Sequence, residues 1–242
     1  MTEEKQLCSN CGTIGMGKYC FECGQKYNHE RITISHLVHE VFHFFTHMES
    51  GFIYTLHKLV IEPGSIQQDY LEGKRGKIQR PFSMFFLCAT ACGLCMYWIN
   101  FWVVNYEGAD NVEEVFFFQH YLVIVQIFLT PVYALVSYLF FIRYKYNYAE
   151  WLIIVLYTTS FFFLIVVFVN CLKFIWPHLD TKYIELPVLI IYSLVTNNKL
   201  FHRSVRWKVI IISICSLTIT YAIAEFTQEI FIKYFVSGQH LP

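Results

Sequence analysis

Charged residues are scarce in this chain, and their scarcity excludes the class of large soluble domains. Only 15% of the 242 residues are charged, whereas 56% are hydrophobic and the mean hydropathy is +0.43. A soluble domain is typically about a quarter charged. The apolar residues form long runs separated by short charged loops, which is the pattern of a membrane protein. The net charge of zero argues against nucleic acid as a partner, because nucleic-acid-binding domains are usually strongly basic.

An apolar leader is also lacking. Met1–Gln25 is polar and contains no apolar core of a secretory signal, so we expect this end of the chain to stay in the reducing cytosol. Nine cysteines are present, but they do not form the pattern of a disulfide framework. Four of them occur as two C-x-x-C pairs near the N-terminus. That spacing indicates a metal site in a reducing compartment.

The two pairs, Cys8/Cys11 and Cys20/Cys23, are each followed by glycine. Two intervening residues let a tight turn aim both sulfurs at one ion, and the glycine permits the backbone geometry that closes the turn. Four thiolates complete a tetrahedral site with no open position. We therefore predict structural Zn²⁺ in an N-terminal zinc ribbon over 1–28, with the metal supplying much of the folding free energy of so small a head. We expect this head to contact a protein partner or to have a purely structural role, and not to bind nucleic acid.

Residues 29–80 are predicted to form an amphipathic interfacial region. Apolar residues recur at helical spacing over 29–62, but this stretch has too many His, Glu and Lys to cross a bilayer. We therefore predict one or two helices lying at the membrane interface. A basic cluster follows, in which we predict that Lys74, Arg75 and Arg80 meet lipid headgroups. These side chains act either as a general positive anchor or as a specific headgroup or phosphate site.

Residues 81–236 are predicted to form a transmembrane helical domain. The apolar segments are Pro81–Val104, Phe116–Ile142, Trp151–Trp176, Ile184–Thr196 and Trp207–Tyr234. All but one hold the roughly 20 residues that a membrane-spanning helix needs. The exception, 184–196, is short. The sequence therefore predicts about five transmembrane helices, or four if 184–196 does not span.

The charges of the loops predict the orientation of the chain. Lys and Arg crowd the loop before the first segment and recur after the second and fourth, whereas the first loop has acidic residues and no basic one. Excess Lys and Arg marks the cytoplasmic side of a membrane. We therefore predict a cytosolic N-terminus and, with five spans, an external C-terminus.

A set of residues between the head and the first apolar segment has a recognisable spacing. It consists of Thr55-Leu56, Pro63-Gly64, Tyr70, Gly73-Lys74-Arg75 and Pro81. Together with the four-cysteine head, this set resembles an uncharacterised family of bacterial membrane proteins of the Bacteroidetes type, a domain of unknown function. The resemblance covers residues 8–81. It implies a zinc ribbon joined to several spans in a bacterial cytoplasmic (inner) membrane, and it implies no activity.

One further motif points to a different class of protein. His39-Glu40-Val41-Phe42-His43 matches H-E-x-x-H, in which two helical histidines hold zinc and the glutamate is a general base. A membrane metalloprotease is therefore an alternative. Against it, histidines at 39, 43 and 47 are spread over about 12 Å of helical rise and cannot all meet one ion. We favour a polar face of an interfacial helix.

The sequence as a whole predicts an all-α integral membrane protein that acts as a non-enzymatic adaptor, sensor or oligomeric pore. The alternatives are the metalloprotease and a protein that handles lipids or small solutes. The last alternative rests on the basic cluster before the first segment and on polar residues within the apolar segments, among them Gln126, Asn170 and Glu225. These polar residues either line a polar path or sit at interfaces. The expected partners are membrane lipids, a protein at the head, and further copies of the chain.

Overall fold

A computed structural model describes residues 5–27, 33–34, 51–106, 117, 120–176, 179–201 and 205–236. The head begins with a two-stranded antiparallel hairpin in which β1 (Gln6–Leu7) pairs with β2 (Ile14–Gly15). An isolated antiparallel bridge joins Tyr19 to Lys26. The head is thus built from two short hairpins of the same kind, one after the other.

Two short helices follow, α1 (Phe52–Ile61) and α2 (Ser65–Leu71). They are separated at Gly64, whose φ of +84° is a conformation that glycine adopts readily and other residues rarely do. Thr55 and Leu59, one turn apart on α1, are completely buried, whereas Ile53 is 77% exposed. Burial on one face fits the predicted amphipathic region for 51–62. Residues 29–32 and 35–50 of that region lie outside the described residues. We call residues 51–80 the docking segment.

Five longer helices follow the docking segment. They are α3 (Pro81–Tyr106), α4 (Leu122–Phe140), α5 (Tyr148–Asn170, extended by a 3-10 turn, Cys171–Phe174), α6 (Lys182–Leu200) and α7 (Arg206–Phe231, ending in a π turn, Ile232–Val236). Their bounds agree with the predicted segments to within a few residues, except that the second helix is described as regular only from Leu122. α5 begins three residues early because Asn147 and Glu150 form a capping box, which satisfies free backbone N–H groups of the first turn.

α5 is the central helix of the membrane domain. It packs against α3, α4 and α6, and both helices of the docking segment also reach it. In its most apolar stretch 61% of the residues are buried, compared with 44% or less in α3, α4 and α7. Its contact with α3 is aromatic at Phe85 and Phe163, whose ring centroids lie 5.6 Å apart. The two helices of the docking segment, α3, α4 and α6 therefore all contact α5, whereas α7 packs mainly on α4 and α6.

Four of these helices, α3, α4, α5 and α7, are long and apolar enough to cross a membrane. This result confirms an all-α membrane protein. The short segment 184–196 lies within α6, which is not among the four. The helix α6 contains Pro187 and carries Lys182, Glu185 and Lys199 near its ends. These charged residues lower the mean hydropathy of α6.

The contacts of α6 nevertheless run the length of α5. At one end Asn170 of α5 donates to the carboxylate of Glu185 over 2.9 Å. In the middle Phe161 stacks on Tyr192 with centroids 3.8 Å apart. At the other end the ring centroids of Phe201 and Trp151 lie 6.1 Å apart. Both residues belong to a buried hydrophobic cluster that also includes Val209, near the start of α7. α6 is therefore antiparallel to α5 and returns the chain to the end from which α7 starts.

Prediction one concerns the close approach of the docking segment to α6. A Cβ atom on Gly64 would lie 2.8 Å from the Cβ of Lys199 and 3.0 Å from the carbonyl oxygen of Thr196, at a φ of +84°. We expect Gly64→Ala to lower the free energy of unfolding by about 2 kcal/mol. Equilibrium unfolding in mixed detergent micelles measures the change.

The matched control is Gly93→Ala in α3. A Cβ there would lie 3.4 Å from Val123, and alanine is favoured over glycine in a helix. We expect this variant to be at least as stable as the parent. Equal stability of the Gly64 and Gly93 variants would refute the tight contact between Gly64 and α6.

Candidate metal centre

Two equivalent turns present the four cysteines of the head. In the first, the N–H of Cys8 donates to the carbonyl of Thr13 and the N–H of Gly12 donates to the carbonyl of Cys8, both over 2.9 Å. In the second, Cys20, Gln25 and Gly24 repeat the same two bonds at 2.7 and 2.8 Å. Gly12 and Gly24 have φ values of +76° and +70°, a left-handed conformation that glycine adopts readily and that closes each turn.

The four sulfurs converge on one point. Sγ of Cys8 is 3.6 Å from Sγ of Cys23, and Sγ of Cys11 is 3.5 Å from Sγ of Cys20. All four lie within 4.8 Å of one another. A disulfide needs sulfurs about 2.05 Å apart, whereas four sulfurs bound tetrahedrally at 2.3 Å stand about 3.8 Å apart. The cluster therefore has the dimensions of a four-thiolate metal centre and could hold one metal ion.

Backbone amides point at the buried sulfurs and lower the pKa values of their thiols, whereas desolvation raises them. The N–H of Cys11 lowers the pKa of Cys8, but desolvation and the neighbouring thiols outweigh it and bring that pKa to about 11. Desolvation raises the pKa of Cys20, but the amides of Cys23 and Glu22 outweigh it and bring that pKa to about 6. Metals bind the thiolate form, so a metal must displace the protons that these thiols carry, and its affinity falls as the pH falls.

The only large side chain packed into the head is Tyr27, as far as the head is described. Tyr27, Cys8 and Cys20 are its buried residues. A Cβ on Gly15 would overlap the hydroxyl of Tyr27, so the ring lies directly on β2. Desolvation raises the pKa of Tyr27 to about 12. So small a core is poorly able to stabilise the head alone, and a metal bound by the four thiolates would contribute to its folding.

Asn10 connects the metal centre to the docking segment. Its side chain hydrogen-bonds the sulfur of Cys23 and lowers the pKa of that thiol. The same side chain also lies against Gly76, where an added Cβ would be 2.8 Å from its Nδ2. The head therefore contacts the loop between α2 and α3 through a residue that also contacts Cys23, a candidate metal ligand.

The predicted basic residues lie in and beside this loop. Lys74 donates to Asp69 over 2.8 Å and reaches Glu72 at 3.5 Å, and the hydrogen bond to Asp69 raises the pKa of Lys74. The guanidinium of Arg75 lies 4.9 Å from the centre of the Tyr70 ring, and its Nε donates to the carbonyl of Tyr70. These contacts fix the shape of the loop.

Arg80, the third predicted basic residue, is exposed immediately before α3. The contacts of Lys74 and Arg75 give each of them a structural role beside any contact with lipid. Lys74 and Arg75 bind partners within the docking segment. Those contacts do not bring Lys74, Arg75 and Arg80 together at one point.

The loop enters the membrane domain at Gln79, which is completely buried. Its N–H donates to Oγ1 of Thr55 over 2.8 Å, and its carbonyl accepts from the hydroxyl of Tyr157 over 2.6 Å. Its side-chain amide donates to Ser83 over 2.7 Å. α1, α3 and α5 are thus bonded through one residue. Sequence reasoning missed Gln79 and Tyr157, since they are 78 residues apart and no local pattern pairs them.

The H-E-x-x-H motif at 39–43 lies outside the described residues. Among the residues that the structure does describe, the cysteine cluster is the one group of three or more His, Cys, Asp or Glu side chains arranged to hold a metal ion. Of the predicted polar residues within the spans, Asn170 is bonded to Glu185. Gln126 and Glu225 line a cavity between helices.

Comparison with known proteins gives one finding. Residues 49–92 match the family described as "Protein of unknown function (DUF3667)". The match covers the docking segment and the first half of α3, and so includes Thr55, Gly64, Tyr70 and Gln79. No curated protein matches the chain, and no solved structure does. The chain is therefore similar to this family over the part that joins the head to the membrane domain.

Prediction two concerns the metal. We expect about one metal ion per chain in the purified protein and none after Cys20→Ser and Cys23→Ser are combined, because two thiolates cannot complete a four-coordinate site. Elemental analysis measures the content. Cys95→Ser and Cys215→Ser, outside the head, serve as controls that keep the metal.

Two results would contradict this assignment. One is a disulfide in the head of the natively purified protein. The other is metal that survives loss of all four head cysteines and is released by His39→Ala, which would instead place the site in the H-E-x-x-H motif.

Proposed function

We propose that the protein is a non-enzymatic membrane adaptor whose zinc-stabilised head binds another protein in the cytosol. Zinc is the metal that four convergent thiolates prefer, and such closed sites are structural rather than catalytic. Because all four positions are filled by protein, no position is left for a substrate or a reactive water. The head therefore acts through its surface.

The observation that carries this proposal is the apolar surface of the head. Leu7 and Ile14 are opposite each other in the hairpin and are 65% and 60% exposed. Tyr19 and Phe21 are 63% and 74% exposed, and Met16 is 51% exposed. Exposed aromatic and aliphatic residues on a folded, metal-held scaffold are typical of protein interfaces. The head has three lysines and no arginine in residues 1–28, which is a poor composition for binding nucleic acid.

The position of the head relative to the basic loops supports a cytosolic location. The loop that Asn10 contacts is at the end of the domain where α3, α5 and α7 begin and α4 and α6 end. Most basic residues described near the helix ends are there: Lys74, Arg75, Lys77, Arg80, Arg143, Lys145, Lys199, Arg206 and Lys208. The opposite end has Lys173, Lys182 and Lys233. By the positive-inside rule the first end faces the cytoplasm, here that of a bacterial inner membrane.

The basic residues of the docking segment fit the same orientation. We propose that the exposed parts of Lys74, Arg75 and Arg80 meet anionic headgroups, each contributing about 1 kcal/mol at most, since such contacts are screened by salt. The internal partners of Lys74 and Arg75 hold both side chains near the membrane surface. This contact positions the head next to the bilayer, where an adaptor would recruit its partner.

Prediction three tests the partner surface in living cells. A photoreactive phenylalanine analogue replaces Phe21 or Ile14, and we expect ultraviolet light to crosslink both positions to a distinct second protein. The same analogue at Lys18, which is exposed but not apolar, is the control and should crosslink several-fold less. Zinc content of each variant confirms that the head is folded.

The adaptor role would be contradicted by crosslinks from Phe21 and Ile14 to lipid, or to a second copy of this chain. Crosslinking at Lys18 that equals crosslinking at Phe21 would also contradict it, because the apolar side chains would then have no special part in the contact.

Prediction four tests the topology. A reporter fused after Ser237 should report an external C-terminus, and a reporter fused after Lys145, between α4 and α5, should report a cytosolic loop. A cytosolic signal after Ser237 would mean that α6 does not cross the membrane. Inverted signals at both positions would place the head outside and refute the orientation.

A further inference from the structure

A cavity of about 350 Å³ lies within the membrane domain between α4, α5, α6 and α7. Two contacts of α7 bound it. Near the end of the domain that the head contacts, Asn197 of α6 donates to Ser213 of α7 over 2.9 Å. At the opposite end the ring centroids of Phe231 and Tyr121, next to the start of α4, lie 4.9 Å apart. Beyond Ser213, α7 therefore leaves α6 and crosses to α4.

The cavity opens sideways between α6 and α7. Thr218 and Tyr221 line it and are exposed near the middle of α7, which is one of the helices long and apolar enough to cross a membrane. At that depth the surroundings of the protein are hydrocarbon and not water. The exposed residues of the wall all lie beyond the bond between Asn197 and Ser213, on the side away from the head: Ile190, Ile214, Thr218 and Tyr221.

The surface of the wall is mostly apolar. The hydroxyls of Thr158, Thr218 and Thr220 donate to carbonyls of their own helices, as hydroxyls within membrane helices commonly do. These groups therefore do not require a polar ligand. The apolar residues of the wall include Leu122, Ile154, Phe162, Leu186, Leu189 and Leu217.

The dimensions of the cavity suit one acyl chain. Glu185 and Asn197 both line it, and α6 rises by about 18 Å between them. One leaflet of the hydrocarbon core, half of the whole, is about 15 Å thick. A water molecule occupies about 30 Å³ of liquid, and a methylene group is of similar size. A volume of about 350 Å³ thus holds about a dozen methylene groups.

Charge is confined to the end of the wall that is farther from the head. The charged residues that line the cavity are Lys182, Glu185 and Glu225. Glu185 accepts from Asn170 over 2.9 Å. Glu225 is hydrogen-bonded to Tyr221, which also interacts electrostatically with Lys182. A cation and a carboxylate beside the same tyrosine suit a headgroup that carries both a phosphate and an ammonium group.

We propose that this cavity holds one acyl chain of a zwitterionic phospholipid from the leaflet away from the head, with the headgroup beside Lys182 and Glu225. The basic residues at the other end, among them Lys199 and Arg206, do not line the cavity. The bond between Asn197 and Ser213 closes α6 against α7 at that end. Packing provides the affinity, because the walls of an empty cavity would forfeit their contacts. This site is separate from the head, and its failure would leave the adaptor role intact.

The test counts the phospholipid that the whole chain retains. The protein is reconstituted in vesicles of phosphatidylethanolamine and phosphatidylglycerol, extracted, and washed in a mild detergent. Native mass spectrometry then gives the number and kind of bound lipids. We expect about one phospholipid per chain, because one acyl chain fills the cavity. Phosphatidylethanolamine should be enriched over phosphatidylglycerol relative to the vesicles.

A matched pair of tryptophan variants locates the retained lipid. Ala224 on α7 lines the cavity, so Ala224→Trp fills it with a ring and should lower the retained fraction at least about fivefold. Ala222 is exposed on the same helix and is not part of the wall, so Ala222→Trp should retain lipid as the parent does. Leu189→Trp, on α6, is the second blocking variant if Ala224→Trp does not fold.

Three further variants test the headgroup. Lys182 and Lys173 lie at the same end of the domain, but only Lys182 lines the cavity. We expect Lys182→Gln to lower the retained fraction several-fold, because a charge-assisted bond to the phosphate is lost, and Lys173→Gln to leave it unchanged. Glu225→Gln removes the partner of the ammonium group and should abolish the preference for phosphatidylethanolamine.

Four outcomes would overturn the proposal. Loss of all phospholipid from the parent on washing would mean that the opening only faces bulk lipid. A dimer free of lipid would assign the opening to a second copy of the chain. Equal retention by Ala222→Trp and Ala224→Trp, with Leu189→Trp in agreement, would place the lipid elsewhere. A preference of the parent for phosphatidylglycerol would refute a zwitterionic headgroup beside Lys182 and Glu225.

Discussion

The backbone N–H and C=O of Gln79 are buried where the docking segment enters the membrane domain, so each needs a partner at that point. Thr55 accepts from the N–H and Tyr157 donates to the carbonyl. Through the backbone of Gln79, these two bonds join α1 to α5. Both partners are completely buried, so no water replaces a lost bond, and loss of either leaves a backbone group unpaired at a cost of about 1–3 kcal/mol.

The rest of the docking segment is arranged around this point. Tyr70 packs edge-on against the ring of Tyr157, with centroids 5.9 Å apart, and Arg75 covers the ring of Tyr70. Gly64 permits α2 to lie against α6. These contacts shape the loop between α2 and α3, in which Gly76 lies against the side chain of Asn10 of the head. The position that we propose for the head at the membrane surface, and the adaptor role that we propose with it, depend on the same buried bonds.

The parts of the molecule that sequence could predict have local causes. Each C-x-x-C-G turn is determined by a few adjacent residues, so its sequence predicts it. The long apolar runs predict helices because their lengths match the thickness of a bilayer. The family resemblance placed Thr55, Gly64, Tyr70 and Pro81 in one set, and the match over 49–92 confirms a domain of unknown function there. What sequence could not predict are contacts between distant residues. These include the bond from Tyr157 to Gln79, the pairing of α6 with α5 despite its modest hydropathy, and the cavity. The identity of the metal, the partner and the orientation stay predictions.

The claim that Gln79 holds the docking segment to the membrane domain is tested most directly by a double-mutant cycle between Thr55→Val and Tyr157→Phe, measured by equilibrium unfolding in mixed micelles. Each substitution removes one bond to Gln79 while keeping the volume of the side chain nearly constant. We predict that each lowers the free energy of unfolding by more than about 1 kcal/mol and that the two effects are coupled by at least about 0.5 kcal/mol. Effects that are both smaller than about 0.5 kcal/mol and strictly additive would contradict the account.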